Sequence, residues 1–197
     1  MQIPEALTDR LPVLQRLESD WDPIPRWALL AWSGFYLLFL YQTARGSGFL
    51  LLMDGVSVPI HEGGHLLFRF FGEFLNIAGG TLLQLGVPVA LAIYFLFQRQ
   101  AQGVAFCLFF FFEQFLPIAT YMADARAQDL PLLTTGEGDY VIHDWNYLFG
   151  KLGVLPHDVQ IAGTVRFIGW IGMLSVVGWL IWRGVKDVTR SAQAITR

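Results

Sequence analysis

Residues 79–97 read GGTLLQLGVPVALAIYFLF, an uncharged stretch of roughly the 20 residues that an α-helix needs to cross the hydrocarbon of a bilayer. A second run, 103–122, reads GVAFCLFFFFEQFLPIATYM, and a third covers 161–182. A chain folding in water groups its apolar residues in short periodic sets around a core; runs of this length need lipid. Composition agrees, with 54% hydrophobic and 15% charged residues. The sequence therefore predicts an all-α fold, a polytopic membrane helical bundle of four to five spans. A net charge of -3 and a pI near 5.7 provide no basic face, which argues against nucleic acid as a partner. The single cysteine, Cys107, lies within the second run and reads as a small apolar residue.

Working outward, residues 27–42 form a further span, preceded by Trp21 and Trp27 at the headgroup level. Residues 4–19 carry Leu7, Leu11, Leu14 and Leu17 at helical spacing, a pattern for an amphipathic surface helix. No basic stretch followed by an apolar one opens the chain, so insertion is expected to rely on the first span rather than on a cleaved signal. Residues 43–57 read as a linker or shallow re-entrant segment. A helix is expected from Ser57, with Pro59 in its first turn, to about Leu75. Along it Arg69 and Glu73 are spaced to pair, and Gly79-Gly80, followed by Gln84, reads as a turn and a tightly packed helix start. The polar section 123–160 separates the last two spans. In outline, 1–26 is interfacial, 27–183 is one membrane-embedded domain and 184–197 is a basic tail.

The positive-inside rule tests the topology. If the helix carrying His61 does not cross, four spans place both termini and Arg99 on the cytoplasmic side, as expected for a multi-pass protein of a bacterial inner membrane. No internal repeat is present.

The chemistry centres on His61-Glu62-Gly63-Gly64-His65. Histidines one helical turn apart share a face and can both present a ring nitrogen to one metal, for which a single zinc ion is the best match. Glu62 then stands beside a metal-bound water without being a ligand, the place of a general base. Ionisable groups at membrane depth are costly unless they coordinate or pair, which raises the functional reading over a packed pair of histidines. Gly63 and Gly64 suit either close helix packing or the approach of a substrate. The third ligand must come from the polar section. His143 is the first choice, with Asp144 or Asp124 as alternative or additional ligand and Asp139 also in range; Asp144 could instead cap a helix running to Lys151. His157 reads as a loop residue. Glu113, in mid-span, pairs with a cation or reaches the site as a relay or positioning group.

At residues 61–65 the chain resembles the site-2 proteases, membrane zinc metallopeptidases. The resemblance implies His61 and His65 as ligands, Glu62 as catalytic base and peptide-bond hydrolysis at membrane depth. It covers little more than the motif. Those proteases take a third ligand from an Asp-Gly pair in a later helix, and the only Asp-Gly here, Asp54-Gly55, precedes the motif. The chain also resembles a group of small bacterial membrane proteins that combine the motif with a later His-Asp-Trp. The expected function is a membrane metallopeptidase, a zinc hydrolase cleaving membrane proteins or peptides. The rivals are a lipid-amide or ester hydrolase, and a non-catalytic subunit of a membrane complex with a structural zinc.

Overall fold

The computed structural model describes residues 21–45, 51–130 and 142–195. Its regular structure is helical, with no strand among the described residues. In chain order the helices are α1 (Arg26–Ala44), α2 (Leu51–Phe68), α3 (Glu73–Phe97), α4 (Ala101–Glu113), α5 (Phe115–Ala123), α6 (Asp144–Leu152) and α7 (Asp158–Ile195). Short 3-10 turns occupy Arg69–Phe71 and Leu155–His157. The surface helix expected over 4–19 and the polar stretch containing Asp139 lie outside the described residues.

Three stretches, Glu73–Phe97, Ala101–Ala123 and Leu155–Thr189, are long and apolar enough to cross a membrane. The 25 residues of α3 cover about 38 Å at 1.5 Å per residue, more than the ~30 Å of hydrocarbon. The distribution of side chains is the reverse of a water-soluble domain. Leu91, Ile93, Phe167, Ile171 and Leu174 face outward, while Gln84, Glu113, Gln114, Asp124, His143 and Asp144 are buried.

Several boundaries differ from the sequence expectation, each for a local reason. The helix carrying the motif starts at Leu51 rather than Ser57 and accommodates Pro59 in its interior. It ends at Phe68, because Gly72 adopts φ 92°, a conformation that glycine alone reaches without strain and that breaks the chain away from the helix. The expected Arg69–Glu73 pair is consequently not made, since the two residues no longer share one helix. Arg69 instead lies over the Phe70 ring at 4.4 Å. Gly79 and Gly80 do not form a turn; they lie inside α3, which begins six residues earlier at Glu73. The run 103–122 is divided at Gln114. Pro117 lacks an N–H, and its ring excludes the carbonyl four residues back, that of Glu113, so the hydrogen-bond ladder is interrupted there. At 38 residues α7 extends well past the expected end at 182.

The described chain divides into two compact units, one containing 21–45, Pro88–Phe110 and the part of α7 from Met173, the other containing Leu51–Val87 and Phe111–Gly172 where described. The first has an aromatic core in which Tyr36 and Phe39 of α1 meet Phe109 of α4 at 4.7 and 5.3 Å. At one end of this unit Trp21 lies between the guanidinium groups of Arg99 and Arg183, at 5.4 and 5.0 Å. The Asp22 N–H bonds to the Arg99 carbonyl at 3.1 Å. The second unit centres on Ile118, Ala119, Met122, Ala125, Phe149 and Ala162, which join α5, α6 and the start of α7. Arg126 reinforces that junction through the buried Asp158, with Nη2 2.8 Å from Oδ1. The sequence-derived residues of the motif and of the His143-Asp144 segment all belong to this second unit.

Candidate metal centre

The reversal at Gly72 folds α3 back along α2. His61 meets Gly80 and Gln84, and Gly64 meets Gly79, so contacts run in opposite directions along the two helices. The approach is set by glycines. A Cβ on Gly64 would collide with the Gly79 backbone, and a Cβ on Gly80 would stand 2.5 Å from His61 Nε2. Gly63 has more room, its nearest neighbour being Leu83 at 3.7 Å, an ordinary contact. The two motif glycines thus separate: Gly64 is required by packing, and Gly63 is not. Gly64→Ala is expected to destabilise the fold by about 1–3 kcal/mol through overpacking. Gly63→Ala is expected to be neutral or to stabilise by up to about 1 kcal/mol, the ordinary gain for alanine in a helix. Unfolding midpoints of the two purified variants in detergent check this contrast, and equal effects would contradict it.

The ring nitrogens are oriented by their outer partners. His65 Nδ1 lies 2.8 Å from the Asn76 carbonyl oxygen, which can only accept, so Nδ1 carries a hydrogen. His61 Nδ1 lies 3.0 Å from Gln84 Oε1. Both Nε2 atoms then point at one carboxylate oxygen, Asp144 Oδ2, at 3.0 Å from His61 and 3.4 Å from His65. The three potential ligand atoms lie within 4.8 Å of one another. With Nδ1 of His65 carrying its hydrogen, the Nε2 lone pair of that ring faces the Asp144 oxygen, an arrangement that a cation or a proton between them would relieve. Zinc ligands at about 2.0–2.1 Å in a tetrahedron lie roughly 3.4 Å apart, so the spacing fits that ion after small adjustments. The outer hydrogen bonds on Nδ1 are also those that metal-binding histidines need.

The hydrogen bond to Asp144, first, and the negative charges nearby hold His65 above the ordinary imidazole range, against the opposing effect of burial. Burial alone would push Asp144 upward, but the hydrogen bonds with His61 and His65 outweigh it and leave the carboxyl below its usual range. A metal ion and a proton would compete for the Nε2 of His65, so metal binding is expected to weaken as pH falls.

Asp144 is brought to this position by the start of α6. Its N–H donates to the Tyr121 hydroxyl at 3.2 Å. His143 is the residue that caps α6, accepting the Asn146 N–H on Nδ1 at 3.2 Å. Asn146 in turn donates from Nδ2 to the Ala125 carbonyl at 2.8 Å. His143, the expected third ligand, therefore faces elsewhere. With Nδ1 occupied by the cap, its Nε2 lies 3.3 Å from Asp124 Oδ2, off the axis of a hydrogen bond, and its ring packs on Tyr121 at 4.2 Å between centroids, tilted by 36°. The place foreseen for it is taken by Asp144, its neighbour and stated alternative, while the cap foreseen for Asp144 falls to His143. Asp124 is likewise occupied, accepting the N–H groups of Asp129 at 2.9 Å and Leu130 at 3.1 Å. These bonds and His143 hold its carboxyl low against the opposing push of burial.

Glu62 makes no hydrogen bond or ion pair with another described residue, although its charge reaches His65 and Tyr121. It is half-buried on the same turn as His61. Three contributors carried no signal in the local sequence: Asn76 through its carbonyl, Gln84, and Tyr121. A glutamine four residues before Pro88 in an otherwise apolar helix was the one available hint, since that proline frees the Gln84 carbonyl. Comparison with protein-family models, with curated proteins and with solved structures returns no match.

Proposed function

We propose that this chain is a membrane-embedded zinc hydrolase, most consistent with a metallopeptidase, in which His61, His65 and Asp144 hold one zinc ion and Glu62 is the general base. The single observation that carries the reading is the convergence of the two Nε2 atoms and Asp144 Oδ2, with Glu62 next in sequence to His61 and without a hydrogen bond or ion pair among the described residues. When bound, the ion supplies Lewis acidity toward water and a substrate carbonyl. The protein supplies the rest. The Asn76 carbonyl and Gln84 orient the two imidazoles, and Tyr121 fixes the Asp144 backbone. Glu62 takes a proton at its carboxylate and returns it to the leaving group. Tyr121 accepts from the Asp144 N–H, which leaves its own hydrogen to donate into the site.

Only three protein ligands converge among the described residues. Catalytic zinc sites keep a position for water beside three protein ligands, whereas structural sites close with four. This favours catalysis over the structural-zinc rival, because Asp124 accepts two backbone N–H groups and His143 caps α6.

For the membrane arrangement we propose α1 as a fourth span, its 19 residues covering about 28 Å, and α2 as a helix that does not cross. In the first unit, Arg99 and Arg183 gather around Trp21 at one end. By the positive-inside rule that end is cytoplasmic, in keeping with a bacterial inner membrane. Beyond the motif, Leu66, Leu67, Phe70 and Phe71 are exposed, which suits substrates approaching from lipid.

The test combines composition and turnover. Protein purified in detergent is expected to contain about one zinc per chain and to cleave transmembrane peptides in vesicles, with loss on chelation and recovery on adding zinc. Cleavage confined to amide- or ester-linked lipids would move the substrate class from peptides to lipids. A fully loaded protein that cleaves neither would return the structural-zinc reading.

A further inference from the structure

Behind His61, away from Asp144, a chain of side chains continues beyond Gln84 to two residues that the catalytic reading does not use. Gln84 Nε2 donates to Gln114 Oε1 at 2.8 Å, and Gln114 Nε2 donates to Glu113 Oε2 at 2.7 Å. Gln84 Oε1 stands 3.0 Å from His61 Nδ1. Glu113 and Gln114 are each only 1% exposed. Both turn inward at the break between α4 and α5, where Pro117 interrupts the ladder.

The direction of this chain follows from its far end. An ionised Glu113 only accepts, and the Gln114 amide then directs its NH2 toward Glu113 and its oxygen toward Gln84. Gln84 must then direct its NH2 toward Gln114 and its oxygen toward His61. His61 Nδ1, facing an oxygen, must carry the ring hydrogen. We propose that Glu113 is held ionised and is a positioning residue for the metal centre: through two amides it fixes His61 as the Nδ1–H tautomer and so keeps Nε2 available as a ligand atom. Glutamine amides alone have no preferred direction, because reversing every one of them leaves an equally bonded chain that delivers an NH2 to Nδ1 and moves the ring hydrogen to Nε2. The carboxylate removes that alternative. His65 needs no such device, since a backbone carbonyl faces its Nδ1.

The test separates direction from packing. Glu113→Gln preserves size and hydrogen bonding but removes the carboxylate. Zinc affinity, measured by competition with a chromophoric chelator on the detergent-purified full chain, is expected to fall by about 10–100-fold, the range for outer-shell partners of metal ligands. Adding Gln84→Glu to that variant places an obligate acceptor directly on His61 and is expected to restore affinity to within a few fold of the wild type. The metal arm rests on the proposed zinc site; a second arm does not. In metal-free Asp144→Ala protein, which lacks the competing acceptor on Nε2, 15N spectra of the 4 histidines report the ring tautomer directly. His61 is expected as Nδ1–H there, and as a mixture once Glu113→Gln is added. Wild-type zinc affinity in Glu113→Gln, failure of Gln84→Glu to restore it, or an Nε2–H ring for His61 in the Asp144→Ala protein would each overturn the proposal. Absence of zinc binding by the wild type would remove the metal reading alone, and the tautomer spectra would still decide the role of Glu113.

Discussion

Asp144→Ala is expected to reduce zinc from about one ion per chain to background, whereas His143→Ala retains it. The two residues are adjacent, and both were open to selection as the third ligand, but they do different work. Asp144 provides the oxygen that both histidines face, at 3.0 and 3.4 Å. Removing it leaves two imidazoles and no anionic ligand, a loss expected to exceed the roughly 10–100-fold that a supporting partner costs. His143 caps α6 and packs on Tyr121. Its truncation is expected to destabilise the chain by about 1 kcal/mol for the lost cap, with a further contribution from the emptied space. Metal content after exhaustive dialysis, read beside the unfolding midpoint, checks both statements. The opposite pattern, with zinc lost in His143→Ala and kept in Asp144→Ala, would mean that α6 is rotated in the working protein.

Glu62→Gln is expected to lower turnover by about 10²–10⁴-fold, the usual contribution of a general base, with zinc content unchanged. The distinction arises because Glu62 is beside His61 in sequence yet takes no part in the convergent group of His61, His65 and Asp144. It is also unengaged: no described side chain or backbone group holds its carboxylate, so the amide substitution disturbs little besides proton transfer. Single-turnover hydrolysis of a membrane peptide, normalised to bound zinc, is the appropriate measurement. A Glu62→Gln protein with the wild-type rate would remove the base from the mechanism. A variant that loses zinc and rate together would instead place Glu62 among the groups that hold the ion.

The sequence alone determined the helices long and apolar enough to cross a membrane and the placement of His61 and His65 on one helix face. Both are local properties: the apolar runs are contiguous, and two histidines one turn apart share a face in any helix. Most span limits were legible for the same reason. Among the boundaries that moved, two were controlled by one residue each, Gly72 ending the motif helix and Pro117 dividing α4 from α5. The tertiary structure decided the rest. Whether His143 or Asp144 faces the motif depends on how α6 is rotated, and that is set by the Tyr121, Ala125 and Phe149 contacts, none of them near the motif in sequence. Whether Gly64 serves substrate or packing depends on Gly79 across the hairpin. Glu113 acquires a relation to His61 only through Gln114 and Gln84. A hydrogen bond or a ligand field is satisfied by atoms in space, and the spacing of residues along the chain constrains those atoms only within a turn or two of helix.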